Sequence, residues 1–365
     1  MDESHNPDKD SARAEQLRLL EPHVEGRPEA MVALARQYAA IGDRPAAIDL
    51  AARALAGLPG DSDAATLAAE LLSDGVPSWH FGLLRDEVRN RAYDAAIRRA
   101  VTPGCTVLEI GTGSGILAMM AARAGARVVT CESNPSVAAA ARAVILANGL
   151  ADRITVIDKP SFALDPAIDL PGPADVLVSE IVSNDLLSEG VLSAHGDAVA
   201  RLLKPGAQVI PARGRVRVAL AHDRHWADAR ICTVEGFDLS PVNRLARPYR
   251  EVGTGSARIE LRSAPADLFS FDFGTAGPWR DGRTRLALPT SGGVVNGVVQ
   301  WIALDLDDCG IYENSPDEGA RSCWAALFWP FSHPVESHTG ESLTIGAYHT
   351  EDRIRLWREQ SCDSN

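Results

Sequence analysis

Short apolar runs alternate with Ala-rich stretches of helical spacing between residues 79 and 212. The apolar runs are rich in β-branched residues and read TVLEI, ARVVTCE, RITVID, ADVLVSE and AQVIPA. Strands that alternate with helices in this way are typical of βαβ units in a parallel sheet. The pattern therefore predicts an α/β domain over residues 78–212.

The pattern changes after residue 213 to strand-like runs separated by Gly, Pro and Asp turns. These runs read RVRVALA, ARIELRS, LFSFDF, TRLALP, GVVQWIALDLDD, CWAALFWPF, LTIGAYH and RIRLW. Such a texture predicts an antiparallel β-domain over residues 213–358, which we expect to form a barrel. Residues 222–250 interrupt the strand rhythm and are predicted to be a helical insertion.

Residues 25–77 have apolar positions at helical spacing, which predicts two helices joined by a turn. The positions are Leu34, Ala35, Tyr38, Gly42, Ala47, Ala51, Ala54 and Pro59. They resemble one tetratricopeptide repeat, and a helix over residues 62–73 would begin a second. One and a half repeats do not form a free-standing solenoid, so we expect this segment to pack on the rest of the chain or on another subunit. A helical hairpin without repeat ancestry is the alternative.

Composition narrows the class of protein. The net charge of −13 argues against nucleic acid as a partner and is compatible with a cationic substrate. No apolar run approaches the length of a membrane span, and MDESHNPDKD at the start lacks the basic and apolar parts of a signal peptide. The six cysteines include no C-x-x-C pair, so neither a zinc site nor a disulfide framework is expected. We expect a cytoplasmic protein with poorly ordered tails over residues 1–24 and 359–365.

The stretch VLEIGTGSGILAMM carries a glycine loop where a predicted strand gives way to a helix. Its glycines let the backbone turn sharply and let a ligand approach the N–H groups. The spacing is not that of a dinucleotide fingerprint, because Ile116 follows the last glycine of the loop. G-x-G-x-G with an acid two residues ahead is the S-adenosylmethionine pattern. The residues of the pattern are Glu109, Gly111, Gly113 and Gly115.

Two further residues complete the predicted cofactor site. Glu132 ends the next strand and is placed to bind two ribose hydroxyls. Ser161 follows the third strand, where an adenine edge would lie. Glu109 would bind the methionine ammonium directly or through water. The plainer alternative is an ordinary tight turn beside a solvated Glu132.

Two other motifs identify a resemblance. HFGLLRDEVRNRAY follows the helix pattern His-x-x-Met-Leu-x-Asp-x-x-Arg-x-x-x-Tyr, with Leu83 at the Met position. SEIVSNDLLSEG contains Glu180 and Glu189, nine positions apart. With these motifs the chain resembles the protein arginine methyltransferases over roughly residues 79–357. The resemblance implies a class I methyltransferase domain with a Rossmann-like fold followed by the β-barrel. It also implies that Arg89 binds the methionine carboxylate and that His80 lies beside the cofactor.

Glu180 and Glu189 match the paired glutamates of that family. On one straight helix, residues nine apart would point to opposite sides, so a hairpin loop is needed to bring both carboxylates to one point. Two carboxylates can bind the N–H groups of a guanidinium, whose pKa is about 12.5 or higher. We expect methyl transfer to depend on alignment and electrostatics, with a glutamate accepting the proton late. The alternative for Glu180 and Glu189 is that both lie in a solvated loop. The alternative for Arg89 is a surface ion pair with Asp86 or Glu87.

The chain departs from the family at residues 322–324. The family usually has Thr-His-Trp there, and its histidine pairs with the aspartate that corresponds to Asp86. This chain has Cys323 instead and keeps Trp324, which would contact the substrate. His333 and His338 are candidate replacements for the lost partner of Asp86. The family also implies a homodimer formed through an arm at about residues 222–250, and an arm packed on its own barrel is the alternative.

The sequence thus predicts an S-adenosylmethionine-dependent arginine N-methyltransferase, with Glu180 and Glu189 as catalytic residues. The substrate is free L-arginine or arginine in a peptide or protein. We favour free arginine because of the departure at Cys323 and the N-terminal helices, which could cover the cleft. A catalytically inactive binding scaffold is an alternative of another class. Methylation of a lysine or a hydroxyl group is a third possible function.

Overall fold

The computed structural model describes residues 7–76, 79–228, 230–255, 258–316 and 322–359. The helices are α1 (Pro7–Arg18), α2 (Glu21–Val24), α3 (Pro28–Ala40), α4 (Arg44–Leu55), α5 (Asp63–Ser73), α6 (Trp79–Leu84), α7 (Glu87–Ala100), α8 (Ile116–Ala124), α9 (Pro135–Ala147) and α10 (Val191–Arg201). The strands up to the middle of the chain are β1 (Thr106–Ile110), β2 (Arg127–Cys131), β3 (Ile154–Ile157), β4 (Ala174–Ser179), β5 (Leu203–Ile210) and β6 (Arg213–Asp223). The later strands are β7 (Thr233–Val234), β8 (Phe237–Asp238), β9 (Arg250–Val252), β10 (Ile259–Leu261), β11 (Ala266–Asp272), β12 (Gly282–Pro289), β13 (Gly293–Asp305), β14 (Ile311–Glu313), β15 (Ala326–Ser337), β16 (Ser342–His349) and β17 (Ile354–Arg358).

The N-terminal segment forms the predicted helical hairpin from α3 and α4. Gly42 adopts a φ of 81° between them, and the Asp43 carboxylate accepts the N–H of Ala46 to begin α4. Tyr38 is buried in the small core of this unit. Relationship to a tetratricopeptide repeat stays a prediction. The expectation of a poorly ordered N-terminal tail is wrong for residues 7–24, where α1 and α2 form and Leu17 is buried against the hairpin.

This helical unit packs on the α/β domain rather than standing alone. Helix α4 lies against α9, and the Asn134 side-chain amide donates to the carbonyl of Gly75 at 3.0 Å. Asn134 also accepts the N–H groups of Ser136 and Val137, so it caps α9 as well. The helical unit is therefore attached two residues after Glu132.

The α/β domain contains a parallel sheet in the order β3-β2-β1-β4-β5. Its register pairs Ile110 with both Cys131 and Ser179, so the carboxyl ends of β1, β2 and β4 lie side by side. Successive strands are added toward one edge of the sheet from β1 to β3 and toward the other edge from β4 onward. Ligands of such sheets bind at the point between β1 and β4 where this order reverses. The glycine loop, Glu132 and Glu180 all follow these strand ends.

The C-terminal domain is antiparallel, as predicted. One sheet has the order β10-β6-β13-β15-β9, with β11 added beside β6 and β14 beside β13. A second sheet has the order β12-β16-β17, and the apolar side chains of both sheets share one core with the α/β domain. The chain passes from β5 to β6 at residues 211–212, where the predicted domain boundary falls.

The segment of residues 222–250 differs from the predicted helical insertion. Its described residues form the two-residue strands β7 and β8 and a 3₁₀ turn over Ser240–Leu245. Pro241 and Pro248 restrict the backbone, and the segment has no long apolar stripe on which a helix could pack. Phe237 and Leu245 are 70% and 86% exposed. Among all the described helices, none is long and apolar enough to cross a bilayer.

Candidate active site

The glycine loop follows β1 in a left-handed backbone conformation that requires glycine. Gly111, Gly113 and Gly115 have φ values of 83°, 53° and 81°. A Cβ on Gly111 would lie 2.6 Å from Cγ2 of Ile181, whereas one on Gly113 would meet nothing within 4 Å. Gly111 is thus fixed by packing against the neighbouring loop, and Gly113 borders open space that a ligand could occupy.

Glu109 lies beneath this loop with an exposure of 1%. Its carboxyl group accepts the N–H of Ala118 at 3.1 Å and the hydroxyl of Thr130 at 2.6 Å. Burial raises the pKa of Glu109 to about 8. The side chain is enclosed between β1, β2 and α8, and its contact with a methionine ammonium, directly or through water, stays a prediction. Glu109 holds the start of α8 and the glycine loop in place.

Glu132 lies at the end of β2 and joins the glycine loop to α9. One carboxylate oxygen accepts the N–H of Gly113 at 3.1 Å, and the other accepts the N–H of Asn134 at 2.9 Å. Ser161 is buried at the start of a 3₁₀ turn that follows β3. Glu132 and Ser161 therefore follow the ends of β2 and β3, as predicted from the sequence. Both lie at the carboxyl edge of the sheet, where the glycine loop also lies.

Arg89 and Glu180 meet beside this loop. Arg89 projects from α7 and donates to Oε2 of Glu180 at 2.6 Å, with side-chain exposures of 2% and 6%. The Arg89 guanidinium also lies 5.3 Å from the ring centroid of Tyr93, and its buried Nε has no hydrogen-bond partner. The alternative of a surface ion pair between Arg89 and Asp86 or Glu87 does not occur, since the described partners of the Arg89 side chain are Glu180 and Asn90. His80 lies on α6, but its side chain is outside the described residues.

The loop between β4 and α10 carries both glutamates. The carboxylate of Asp185 accepts the hydroxyl of Ser183 and the N–H groups of Leu187 and Ser188. Leu186 is fully buried and adopts a φ of 79°, an uncommon value for a non-glycine residue. Turns rather than a helix thus connect Glu180 to Glu189. This is the hairpin-like connection that the spacing of the two residues requires.

The two carboxyl groups share an environment that disfavours negative charge. Burial raises the pKa of Glu180 to about 8; Arg89 opposes the rise and nearby Glu189 adds to it. The side chain of Glu189 is accessible to solvent. Partial desolvation by the surrounding protein nevertheless raises its pKa to about 7, and the negative charge of Asp185 makes a smaller contribution. A cation placed between them would relieve both effects.

Asp86 has a hydrogen-bond partner that the sequence did not indicate. One oxygen caps α7 by accepting the N–H of Arg89 at 2.9 Å. The other accepts the hydroxyl of Tyr312 at 2.6 Å and the N–H of Cys323 at 3.2 Å. Neither proposed histidine takes this place: His333 lies exposed on β15, and His338 follows that strand with its backbone N–H bound to Glu341. Tyr312 lies on β14, eleven residues before Cys323, so no local motif marks it.

Trp324 is buried, with its ring edge-on to Tyr312 at a centroid distance of 5.4 Å. The next residue, Ala325, donates its N–H to the side chain of Asn184 at 3.0 Å. Asn184 belongs to the loop that carries the glutamates. This bond therefore fixes the segment of Trp324 to that loop.

His195 is another buried residue that the sequence analysis missed. Its Nε2 lies 2.5 Å from the hydroxyl of Ser179, and its Nδ1 lies 3.4 Å from the carbonyl of Phe273. A carbonyl only accepts, so Nδ1 carries the proton and Nε2 accepts from Ser179. Burial lowers the pKa of His195 to about 4, so it is neutral near pH 7. The imidazole thus ties the residue before Glu180 to the β-domain.

A separate cavity of about 600 Å³ lies between the segment of residues 222–250 and the β-domain. It is lined by aromatic residues and by Arg230, Arg247, Arg250 and Arg358, with no acidic residue among the described lining. A guanidinium would be repelled there. The carboxylates of the β4–α10 loop are the better location for a cationic substrate.

Comparison with known proteins gives consistent results. Residues 94–212 match the family described as ribosomal protein L11 methyltransferase (PrmA). An arginine N(omega)-methyltransferase of Streptomyces achromogenes subsp. streptozoticus is 41% identical over 292 residues, which cover 79% of this chain and 80% of that protein. Protein arginine N-methyltransferase 7 of Oryza sativa subsp. indica is 34% identical over an alignment of 265 residues that covers 65% of this chain. The alignment covers only 36% of the rice protein, so this chain spans little more than a third of that relative.

The fold is also found among solved structures. The Trypanosoma brucei PRMT1 enzyme–prozyme heterotetrameric complex with AdoHcy aligns with a TM-score of 0.67 at 22% identity, over 79% of this chain and 98% of that chain. This likeness shows a shared fold. The family follows from the Streptomyces relative, because its identity and coverage are high over most of both chains. The chain belongs to the arginine N-methyltransferase family and is an S-adenosylmethionine-dependent methyltransferase.

Proposed function

We propose that this protein transfers a methyl group from S-adenosylmethionine to the guanidino group of free L-arginine. The observation that carries the proposal is the pair of carboxyl groups on the β4–α10 loop, Glu180 and Glu189, beside the glycine loop. Each has a raised pKa, and each would regain its ordinary charge on binding a guanidinium.

The residues at the carboxyl end of the sheet fit the cofactor. Gly113 borders open space, and the orphaned Nε of Arg89 is a buried donor that a carboxylate could satisfy. Arg89 would hold the methionine carboxylate, Glu132 the ribose hydroxyls, and Ser161 the adenine edge. Glu109 supports the loop of Gly111, Gly113 and Gly115 from below. When bound, S-adenosylmethionine supplies a methyl group on a sulfonium, which is an electrophile.

The paired glutamates would prepare the acceptor nitrogen. Both carboxylates hydrogen-bond the guanidinium N–H groups and draw positive charge toward themselves. One terminal nitrogen can then offer electron density in line with the donor, with the rate arising from alignment and electrostatics. The negative charges of the two carboxylates stabilise the guanidinium and so oppose loss of its proton before the methyl group is transferred. Glu180 or Glu189 would therefore accept it late, as the methyl group is transferred.

Free arginine is favoured by the Streptomyces relative, whose name specifies arginine rather than protein arginine. The N-terminal helices support the same choice, because they are attached next to the cofactor residues through Asn134. Protein-bound arginine is the second candidate. It is favoured by the acidic net charge of −13, which would attract basic tails, and by the rice relative.

One assay tests the proposal. The protein is incubated with methyl-labelled S-adenosylmethionine and with free L-arginine, a Gly/Arg-rich peptide or no acceptor, and products are identified by mass. We expect label in free arginine at the ω-nitrogen and none with the Glu180→Gln variant. Label in the peptide alone would identify a protein methyltransferase. Label in neither acceptor would favour a scaffold or another nucleophile and would reject the proposal.

We further propose a homodimer formed through the arm of residues 222–250. Its apolar side chains are exposed on a two-stranded hairpin and a 3₁₀ turn, although Trp226 packs on the β-domain and donates to the carbonyl of Phe331. The exposed members are Ile231, Val234, Phe237, Leu239, Val242 and Leu245. Exposed apolar clusters of this kind mark protein–protein contacts.

A further inference from the structure

We propose that Tyr312 has taken over the hydrogen-bonding role of the histidine missing at position 323, and so positions Arg89 and Trp324 for methyl transfer. This inference rests on the proposed arginine methylation. It names Tyr312 as a positioning residue, which acts through its hydrogen bond to Asp86. The bond from its hydroxyl to Asp86 joins residues 226 positions apart in the sequence.

The donors and acceptors can be assigned in only one way in the cluster formed by Asp86, Tyr312, Ser322 and Trp324. The backbone N–H of Trp324 donates to Oγ of Ser322 at 3.1 Å. Ser322 lies 2.6 Å from the hydroxyl of Tyr312, which itself lies 2.6 Å from Asp86. A carboxylate only accepts, so Tyr312 donates to Asp86 and accepts from Ser322. Every proton in the chain from Trp324 to Asp86 is thereby assigned.

Asp86 passes this constraint to the catalytic loop. Its other oxygen holds the backbone N–H of Arg89 at the start of α7, and the Arg89 side chain binds Glu180. The cluster therefore links the segment of residues 322–324 to the ion pair of Arg89. Loss of the Tyr312 hydroxyl would leave one buried oxygen of Asp86 with only the N–H of Cys323.

The chemical difference from a histidine is that this donor does not titrate near neutral pH. Burial, followed by the hydrogen bond to Asp86, raises the pKa of the Tyr312 hydroxyl above its ordinary value. An imidazole at the same position would donate more strongly when protonated and would change its charge near pH 6 to 7. Tyrosine in place of histidine thus removes one pH-sensitive group from the site.

The test compares Tyr312→Phe with the double variant Tyr312→Phe/Cys323→His, using the arginine substrate that the wild-type enzyme methylates. Tyr249→Phe is the matched control, because its ring packs on Trp329 and no hydrogen bond of its hydroxyl is found among the described residues. Affinity for S-adenosylhomocysteine and the melting temperature are measured for each variant. If the wild-type enzyme methylates no arginine at all, it is the proposed function that fails.

We expect Tyr312→Phe to lower kcat at least tenfold and to weaken the binding of S-adenosylhomocysteine, because Arg89 would hold the methionine carboxylate. Tyr249→Phe should match the wild type. The double variant should regain activity and show a new limb in its pH–rate profile near the pKa of histidine. Wild-type kcat in Tyr312→Phe would overturn the inference. So would a double variant that stays as inactive as Tyr312→Phe, because tyrosine would then have only a structural role.

Discussion

Arg89 and Glu180 form a nearly buried ion pair, with 2.6 Å between Nη2 of the guanidinium and Oε2 of the carboxylate. The pair connects α7, which precedes the parallel sheet, with the loop that follows its fourth strand. A cofactor carboxylate and a substrate guanidinium would each bind one member of it. In the proposed function, this ion pair would therefore lie between the cofactor carboxylate and the substrate guanidinium.

The paired glutamates can be tested by isosteric substitution. Glu180→Gln or Glu189→Gln should lower kcat by roughly 100- to 1,000-fold, since each removes a charge that stabilises the guanidinium during transfer. Binding of S-adenosylhomocysteine, measured by calorimetry, should change little. Asp165→Asn, a change at an exposed carboxylate in another loop, serves as the control. Full activity in both glutamate variants would reject the mechanism.

Arg89 should matter for both stability and cofactor binding. Arg89→Ala removes one partner of a buried pair, for which the typical loss in the free energy of unfolding is about 3–5 kcal/mol. Arg91→Ala on the same helix breaks only an exposed pair with Glu87 and should cost less than about 1 kcal/mol. Urea unfolding measures both values. Arg89→Lys keeps the charge but loses the planar fork, and we expect affinity for S-adenosylmethionine to fall tenfold or more.

Substrate binding should improve as pH rises from 6 to 8. The carboxyl groups of Glu189 and Glu180 have pKa values raised to about 7 and about 8, so both are largely protonated at pH 6. A protonated carboxyl group does not pair with a guanidinium, and ionisation restores the pairing. The value of kcat/KM for arginine, which reports groups of the free enzyme, should therefore rise and level off above about pH 8. A flat profile from pH 6 to 9 would contradict this expectation.

Cys323 should be a poorly reactive thiol despite its place in the site. Burial, followed by Asp86 and Glu180, raises its pKa to about 12, and the thiolate is the nucleophilic form. Iodoacetamide at pH 7.5 should label the exposed Cys232 and Cys309 well before Cys323. Peptide mass mapping over time provides the measurement, and early labelling of Cys323 would show that the site opens readily.

The arm can be tested by charge insertion. Phe237→Glu and Leu245→Glu place a carboxylate on side chains that are 70% and 86% exposed, so neither should destabilise the monomer. In light scattering after size exclusion we expect a dimer for the wild type and a monomer for these variants. Leu19→Glu, at a 71% exposed position in the turn between α1 and α2, is the control. An unchanged molecular mass in both arm variants would argue against dimerisation through this arm.

Local patterns in the sequence determined most of the architecture. The alternation of β-branched runs and Ala-rich stretches predicted the parallel sheet, because hydrophobic periodicity reflects which face of an element is buried. The glycine loop was equally readable, since only glycine tolerates the φ values at Gly111, Gly113 and Gly115. The arm was misread as helical, although Pro241 and Pro248 restrict its backbone. Residues 7–24 were misread as poorly ordered, because their helices depend on packing against the hairpin, which weak local signals do not reveal.

The sequence by itself gave the residue types of the site, and the tertiary structure decided which of them meet. It showed that Glu109 is buried against Thr130 and Ala118, that Arg89 binds Glu180, and that Tyr312 rather than a histidine binds Asp86. These contacts join residues between 9 and 226 positions apart. Hydrogen bonds act over about 3 Å in space whatever the separation along the chain, so only the folded chain specifies them.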